Sequence, residues 1–374
     1  MTQETDRSGL IDSGVIDTAT SISQATALSR RTMLKAMGGA AAMAMMPSVF
    51  AQEETAAPIP IRRIQNFGLR VSDVRRSLRF YQELFGMPVQ ARVGSTVCLR
   101  VGDGPTFFSL TPVRGRETPG ITHIGLGVEN YDTDGLSAAL TRHGLNRGPN
   151  LPPGQPQLSY ANRIWTVTRP GTSGTTNTRD LFFADEEGLT FQLCSTDHCG
   201  GGGEIGEQCP FPEESPSEGL MQLVGINHST NFMSNSARAN QFYRNLFGLD
   251  YLAYQGPTMP TLSVGDGKQF LMFVGGAEEG RPSRPARIDH VSLSVMDFDV
   301  DGILGKLTDY GLTARENPSE TPPLSHWVSM RMPDRGGAEG GTPELYFSDP
   351  DGIHIQLQHV DYCGGGGYLG DQCG

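Results

Sequence analysis

The chain has 374 residues, and its 41 acidic side chains against 29 Lys and Arg give a formal net charge of −12 at pH 7. This balance disfavours nucleic-acid binding, because contact with phosphate backbones requires clustered Lys and Arg. The apolar run from Ala36 to Met46 is about half as long as a membrane-spanning helix requires, so we expect no stable membrane anchor.

The first 51 residues are predicted to be an export signal and not part of the fold. Ser29–Lys35 reads Ser-Arg-Arg-Thr-Met-Leu-Lys, which matches the twin-arginine pattern with Met33 where Phe is usual. Cleavage is expected near Ala51, and residues 52–60 would then form a short linker. This pattern predicts a periplasmic or secreted protein that is exported folded, with any metal already bound.

The remainder of the sequence is an internal duplication. Phe80–Met87, Phe-Tyr-Gln-Glu-Leu-Phe-Gly-Met, returns 162 residues later as Phe242–Leu249, Phe-Tyr-Arg-Asn-Leu-Phe-Gly-Leu. A period this long indicates two whole domains, because solenoid repeats are far shorter. We therefore predict domains at 61–209 and 221–374, joined by an acidic, proline-rich linker at 210–220.

Within each copy, the pattern of a strand, a helix and three strands occurs twice. Apolar spacing predicts helices in the first copy over Val74–Phe85 and Thr133–Arg142, each followed by a glycine, and in the second copy over Ser236–Leu246 and Val300–Thr308. Strands of the first copy are predicted at Ile64–Val71, Val97–Val101, Phe107–Leu110, Ile121–Val128, Ile164–Thr168, Asp180–Ala184 and Thr190–Cys194. One further strand, in the first half, is only weakly marked.

Each copy ends in a glycine-rich segment between two cysteines that are ten residues apart. These segments run from Cys199 to Cys209 and from Cys363 to Cys373. In an oxidising compartment, the spacing predicts the disulfides Cys199–Cys209 and Cys363–Cys373, each contributing about 2–3 kcal/mol by loop entropy. A cysteine-based metal site is the alternative, although zinc-binding pairs usually lie closer in sequence.

Four motifs of the second copy appear in a characteristic order. They are Ile226-Asn227-His228, Phe242-Tyr243-x-x-Leu246-Phe247-Gly248, Ile288-Asp289-His290 and Tyr346-x-x-Asp349-Pro350-Asp351-Gly352. Together they resemble the vicinal oxygen chelate superfamily, which includes glyoxalase I, bleomycin and fosfomycin resistance proteins and extradiol dioxygenases. The resemblance implies an α+β fold with two tandem domains, in which paired βαβββ modules form a curved sheet around a cavity.

The resemblance also implies a divalent metal, held by residues on the first strand of each half and on the last strand of a domain. The corresponding residues are His228, His290 and Gln356 in the second copy, and Asn66, His123 and Gln192 in the first, which we expect to be a degenerate site. The family most often has Glu in place of the Gln, so the neutral amide should weaken a ferrous site. His354 projects from the same strand face as Gln356 and is a possible third imidazole. Iron, manganese, zinc and copper all remain open.

The expected chemistry follows from the same resemblance. Ring-cleaving members have a tyrosine ten residues before the last ligand, and Tyr346 holds that position as the candidate catalytic residue. Their acid/base histidine is missing, and Lys268 or His326 are the candidates to replace it. We expect a dioxygenase-like protein acting on a small oxygenated, catechol-like molecule. The alternatives are a protein that sequesters an aromatic ligand, and a glyoxalase-type isomerase or lyase, which lacks its carboxylate base here. The oligomeric state is open.

Overall fold

The computed structural model describes residues 56–151, 161–171, 176–276 and 285–373. The predicted twin-arginine signal and its cleavage site near Ala51 lie outside these residues. From Thr55 onward the chain forms one compact unit, so the domain limits at 209 and 221 remain predictions. In the described part, every helix is too short or too polar to cross a membrane.

The first repeat contains nine strands and two helices in its described residues. They are β1 Ile61–Val71, α1 Val74–Phe85, β2 Val89–Val93, β3 Thr96–Arg100, β4 Phe107–Pro112, β5 Gly120–Val128, α2 Thr133–Arg142, β6 Asn146–Leu151, β7 Arg163–Arg169, β8 Thr178–Ala184 and β9 Thr190–Ser195.

The second repeat has the same order of elements over the ranges that the structure describes. They are β10 Leu223–Phe232, α3 Ser236–Phe247, β11 Tyr251–Tyr254, β12 Pro260–Ser263, β13 Phe270–Val274, β14 Arg287–Val295, α4 Val300–Tyr310, β15 Thr313–Ala314, β16 Ser325–Arg331, β17 Thr342–Ser348 and β18 His354–His359.

Each repeat forms one mixed sheet, with the strand order β2-β3-β4-β1-β5-β9-β8-β7-β6 in the first and β11-β12-β13-β10-β14-β18-β17-β16-β15 in the second. The leading strands of the two modules, β1 with β5 and β10 with β14, pair antiparallel at the centre of each sheet. These pairs join two βαβββ modules into one curved sheet. The predicted α+β fold of two tandem, paired-module units is therefore confirmed.

The helices begin and end where the sequence contains capping residues. Asp73 accepts hydrogen bonds from two backbone N–H groups of the first turn of α1, and Gly86 ends the helix with a φ of 62°. The predicted ends of α1 and α2 are confirmed. Helices α3 and α4 extend one and two residues beyond the predicted ends, because the left-handed terminators are Gly248 and Gly311.

The two repeats contact each other through related residues. The Tyr81 hydroxyl on α1 donates to Asp349 Oδ2 of the second repeat at 3.2 Å, and the Tyr243 hydroxyl on α3 donates to Asp185 Oδ2 of the first at 2.9 Å. All four side chains are buried, and one apolar core runs through both repeats. The duplication has thus produced an interface with two matching buried Tyr–Asp hydrogen bonds.

Both predicted disulfides, Cys199–Cys209 and Cys363–Cys373, are present in the structure. Each closes a glycine-rich loop that docks on an arginine of the adjacent sheet, which is partly buried in the first repeat and fully buried in the second. Arg169 Nη1 donates to the Gly200 carbonyl oxygen at 3.0 Å, and Arg331 Nη2 donates to that of Gly365 at 2.8 Å. The loops therefore cover one end of each sheet.

The predicted linker at 210–220 packs along the first repeat. Glu213 and Val89 exchange two backbone hydrogen bonds of 2.8 Å, and the Glu213 carboxylate accepts two bonds from Arg92 at 2.6 and 2.7 Å. The backbone N–H of Leu220 also donates to the Leu84 carbonyl at 2.8 Å. These contacts bind the segment to β2 and α1.

Candidate metal centre

The three ligand candidates of the second repeat lie on adjacent strands of the concave sheet face. His228 on β10 pairs in register with Ser292 on β14, and Ser292 pairs with Gln356 on β18. His290 lies two residues before Ser292 and so projects from the same face. His228, His290 and Gln356 are all buried, with exposed fractions of 2%, 7% and 1%. The strand order therefore brings the predicted residues together.

The protonation of His228 follows from its neighbours. Asn227 donates from Nδ2 to the Tyr362 carbonyl at 2.8 Å, so its Oδ1 faces His228 Nδ1 at 2.7 Å and accepts from it. Burial, followed by the proximity of His290, holds the pKa of His228 well below its usual value. The ring is therefore neutral, and its Nε2 carries a lone pair.

That lone pair faces a second acceptor. His228 Nε2 lies 3.2 Å from Gln356 Oε1, and two acceptors at this distance repel each other unless a donor or a cation lies within reach of both. Two ligand atoms that bind one metal at right angles, each through a bond of about 2.1 Å, lie about 3 Å from each other. The arrangement therefore fits a bound cation. Rotating the Gln356 amide, which would aim its nitrogen at His228, is the competing explanation.

His290 is oriented in a similar manner. Its Nδ1 lies 3.1 Å from Asp289 Oδ2, which directs Nε2 away from the carboxylate. When an imidazole nitrogen binds a metal, the centre of the ring lies about 3.2 Å from the ion. Two imidazoles that bind the same ion therefore have ring centroids at most about 6.4 Å apart. The centroids of His228 and His290 are 5.7 Å apart. The two imidazoles are therefore near enough to share one ion.

Three buried polar atoms beside these side chains have no hydrogen-bond partner among the described residues. They are Ser292 Oγ, Gln356 Nε2 and Gln358 Nε2, from residues that project from the same sheet face as His228 and His290. An unsatisfied buried polar atom costs about 1–3 kcal/mol and usually indicates bound water, an ion or a ligand. Their clustering here indicates a polar occupant of this interior.

Tyr346 contacts the candidate centre directly. Its ring is parallel to Trp327, with centroids 5.2 Å apart, and meets the edge of His290 at 5.2 Å. Burial, together with the nearby Glu344 carboxylate, raises the pKa of Tyr346 well above its usual value. The hydroxyl therefore stays protonated, and it donates to Glu344 Oε2 at 3.4 Å.

His354, the possible third imidazole, lies at the rim. It is partly buried, and its ring meets Trp327 edge-on at 5.4 Å. Burial lowers the pKa of His354, so its ring is also neutral near pH 7. Among the described residues, no group of three or more His, Cys, Asp and Glu side chains is arranged to hold a metal ion.

The sequence interpretation missed a charged cluster below Tyr346. Glu344 accepts hydrogen bonds from Arg331 at 2.9 Å and from the Tyr362 hydroxyl at 3.0 Å. Strand alternation from Tyr346 could have placed Glu344 on the cavity face. Tyr362 follows the last strand, so no periodicity indicates that its ring stacks on His228 with centroids 5.6 Å apart.

His326, one of the two candidates for the acid/base role, does not face the proposed metal centre. Its Nε2 lies 3.0 Å from Thr308 Oγ1 on α4, on the opposite face of β16 from Trp327. Lys268 forms an exposed ion pair with Asp361 at 2.6 Å. Neither residue therefore replaces the missing acid/base histidine.

The related residues of the first repeat also lie together, but they are bonded to protein groups. Asn66 Oδ1 lies 3.3 Å from His123 Nε2, Asn66 Nδ2 contacts Cys194 Sγ at 3.6 Å, and Gln192 donates to Asp180 at 3.3 Å. Burial lowers the pKa of His123 to about 4. Among the described residues of this sheet, every buried side-chain nitrogen or oxygen on the concave face has a hydrogen-bond partner. In this arrangement, the described side chains have no unpaired ligand atom to offer a metal.

Residues 63–193 match the family model described as Glyoxalase/Bleomycin resistance protein/Dioxygenase superfamily. No protein of curated function matches the sequence. A structure of homoprotocatechuate 2,3-dioxygenase from Brevibacterium fuscum with 3,4-dihydroxyphenylacetate aligns at 17% identity and a TM-score of 0.54, covering 82% of each chain. A variant of homoprotocatechuate 2,3-dioxygenase from B. fuscum gives 16% identity and a TM-score of 0.52, covering 82% of this chain and 73% of that one.

A Mn(II)-bound glyoxalase from Novosphingobium aromaticivorans is also similar, at 16% identity and a TM-score of 0.49, with 80% of this chain and 82% of that chain covered. At these identities, the dioxygenase structures establish a shared fold. The family match covers the first repeat, and the second repeats its strand order and motifs. Residues 63–193 are therefore identified with the Glyoxalase/Bleomycin resistance protein/Dioxygenase superfamily, and the second repeat has the same fold.

Proposed function

We propose that the second repeat binds a divalent metal through His228, His290 and Gln356, with His354 at the rim. The observation that carries this proposal is the 3.2 Å approach of His228 Nε2 to the Gln356 side-chain amide, which puts both side chains within reach of one ion. The partnerless atoms around them support it. In the first repeat, the related residues satisfy one another, so the proposal is confined to the second.

We further propose that the protein acts on a small catechol-like molecule in a dioxygenase-like manner. A bound metal would supply Lewis-acid polarisation of two neighbouring substrate oxygens. The Trp327 and Tyr346 rings stack on each other beside His290, and Arg315 lies over the Trp327 ring at 4.1 Å. The edges of these rings would border a bound aromatic molecule. The protonated Tyr346 hydroxyl would turn from Glu344, to which it donates at 3.4 Å, and donate to a substrate oxygen. The fold shared with an enzyme crystallised with 3,4-dihydroxyphenylacetate supports this substrate class.

The donor set leaves the metal open but limits the reaction. With a neutral amide in place of a carboxylate, the negative charge nearest to the imidazoles belongs to Asp289, which contacts His290. Iron, manganese, zinc and copper all remain candidates. A glyoxalase-type proton transfer is disfavoured, because the buried Glu344 carboxylate is bound to Arg331 at 2.9 Å and is not free to act as a base.

The proposed location is the periplasm or the exterior of the cell, after twin-arginine export. The two disulfides support an oxidising compartment. We keep 61–209 and 221–374 as the domain limits, since each would then contain one sheet and its own disulfide loop. Small molecules are the proposed partners.

Oxygen consumption tests the catalytic proposal. Metal-loaded wild-type protein is expected to consume oxygen with a catechol such as 3,4-dihydroxyphenylacetate, but not with its mono-O-methyl ether, which cannot present two free hydroxyls. The His228→Ala variant should lose at least about 100-fold in rate, because removal of a ligand disrupts the centre. The matched His123→Ala variant should stay within about twofold. An oxygen electrode measures all four rates.

Two outcomes would contradict the catalytic proposal. If His228→Ala and His123→Ala lost activity equally, the reaction would not depend on the second repeat. If the metal-loaded wild type consumed no oxygen with any catechol yet bound aromatic molecules tightly, a sequestering protein would be the better description.

A further inference from the structure

The outer edge of the second sheet lacks a contact that covers the outer edge of the first. In the first repeat, Glu213 forms an isolated antiparallel bridge with Val89 on the edge strand β2, through two backbone hydrogen bonds of 2.8 Å. The related edge strand is β11, where Tyr251 corresponds to Val89. The isolated bridge within the disulfide loop recurs in both repeats, but no described residue forms such a bridge with Tyr251. In the described part of the chain, β11 is therefore open where β2 is covered.

The register of β11 shows which of its backbone groups face this edge. Val89 pairs with Leu99 on β3, and Tyr251 pairs with Leu262 on β12, in the same register. The N–H and C=O of one residue point to the same side of an antiparallel strand, and those of Val89 point to Glu213. The N–H and C=O of Tyr251 therefore point out of the sheet, where an added strand can bind them.

A groove with exposed aromatic side chains follows this edge. Tyr251 and Tyr254 are 44% and 48% exposed, and their ring centroids are 5.6 Å apart. The groove has a volume of about 410 Å³ and also includes Gly365 and Gly366 of the second disulfide loop. Aromatic-lined grooves suit proline-containing segments, which are already extended and lose little conformational entropy on binding.

The groove also has a positive charge beside it. The Arg244 guanidinium lies over the Tyr251 ring, 4.1 Å from its centroid, and its Nε donates to the Leu249 carbonyl at 3.1 Å. That bond does not use the Nη atoms, which can bind a carboxylate. In the first repeat, Arg92 binds the Glu213 carboxylate at 2.6 and 2.7 Å. Both edges therefore combine a strand with an arginine that suits an acidic residue.

We propose that the edge of β11 binds an extended, acidic, proline-containing peptide segment of another protein by strand addition. The segment that covers β2 has this composition, since residues 210–214 read Pro-Phe-Pro-Glu-Glu. A bound segment would exchange two backbone hydrogen bonds with Tyr251, pack its prolines on the rings of Tyr251 and Tyr254, and place a carboxylate on Arg244. Strands β12 and β13 separate this edge from β10, which carries His228, so binding would not require a metal.

A synthetic copy of the segment that covers the first edge is the probe. Acetyl-Pro-Phe-Pro-Glu-Glu-Ser-amide is expected to bind the folded, oxidised protein saturably in isothermal titration calorimetry and to slow hydrogen exchange at Tyr251–Tyr254. Exchange at Val89–Val93 is the internal control and should not change, because that edge is already covered. N-methylation at the first glutamate of the peptide removes the N–H that would donate to Tyr251, and should weaken binding about 10-fold.

The Arg244→Gln variant tests the charged contact. The related residue of the first repeat is Gln82, which donates to the Met87 carbonyl at 3.1 Å, so glutamine should preserve the fold, as thermal unfolding will check. Peptide binding should weaken about threefold.

The proposal is overturned if the peptide does not bind saturably, or if N-methylation or Arg244→Gln leaves binding unchanged. It is also overturned if the slowed exchange lies outside Tyr251–Tyr254. Exchange at this strand that slows with rising protein concentration, without peptide, would identify a second copy of the chain as the occupant and would contradict the proposal.

Discussion

Replacing Arg331 with methionine is expected to lower the free energy of unfolding by about 3–5 kcal/mol. Arg331 is fully buried, and it donates to the Glu344 carboxylate at 2.9 Å and to the Gly365 carbonyl at 2.8 Å. Methionine fills much of the same space but leaves a buried carboxylate without its counterion. It also removes a hydrogen bond that fixes the second disulfide loop to the sheet.

Urea unfolding of the wild type and variants measures this loss. Arg62→Met is the control, because its ion pair with Glu129 is exposed, at 44% and 54% for the two side chains, and such pairs contribute at most about 1 kcal/mol. The double variant Arg331→Met, Glu344→Gln should recover part of the loss, since no charge is left unpaired. Equal losses for Arg331→Met and Arg62→Met would contradict the expected burial of the pair.

The two interface carboxylates should make stability fall as the pH rises from about 4 to about 6. Burial raises the pKa of both Asp185 and Asp349 from 3.8 to about 6. A carboxyl with a raised pKa in the folded state binds protons more tightly there than in the unfolded chain. Its stabilising contribution is therefore complete below about pH 4 and is lost through about pH 6, by an amount on the order of 3 kcal/mol per group.

The Asp185→Asn variant isolates this contribution. Asparagine can still accept from the backbone N–H groups of Glu187 and Leu189, which Asp185 Oδ1 binds at 2.9 Å, and it cannot ionise. Relative to the wild type, the variant should gain more stability at pH 7 than at pH 4. Unfolding midpoints at both pH values measure the difference.

Asp134→Asn is a control for which the pH dependence of stability should have the opposite sign. Asp134 is exposed, and its hydrogen bond with Arg179 lowers the pKa of its carboxyl, so its stabilising contribution appears as the pH rises. An Asp185→Asn effect that was the same at pH 4 and pH 7 would show that this carboxyl does not titrate with a raised pKa.

The helices could be predicted from the sequence more completely than the strands. Capping residues and apolar spacing define α1 and α2 locally. Strand β6, Asn-Arg-Gly-Pro-Asn-Leu, was not predicted, because its residues are polar and it contains Gly148 and Pro149. It is an edge strand that pairs only with β7 in the described sheet. Pairing with a neighbour, and not local propensity, explains its conformation.

The convergence of His228, His290 and Gln356 could be predicted, because the resemblance to the vicinal oxygen chelate superfamily assigns them to the central strands. The roles of their neighbours could not. Asn227 determines which His228 nitrogen carries the proton, and Tyr362 reaches the site from a loop after the last strand. Such contacts depend on side-chain orientation and on the docking of distant segments, which periodicity does not encode.

The duplicated chain supplies its own control for the most direct measurement, the metal content of purified, folded protein. The wild type is expected to bind about one divalent ion per chain. The double variant His228→Ala, His290→Ala should lose it, whereas the matched double variant Asn66→Ala, His123→Ala should retain it, with both variants folded by circular dichroism. Equal metal content in the wild type and the His228→Ala, His290→Ala variant would contradict a metal centre in the second repeat.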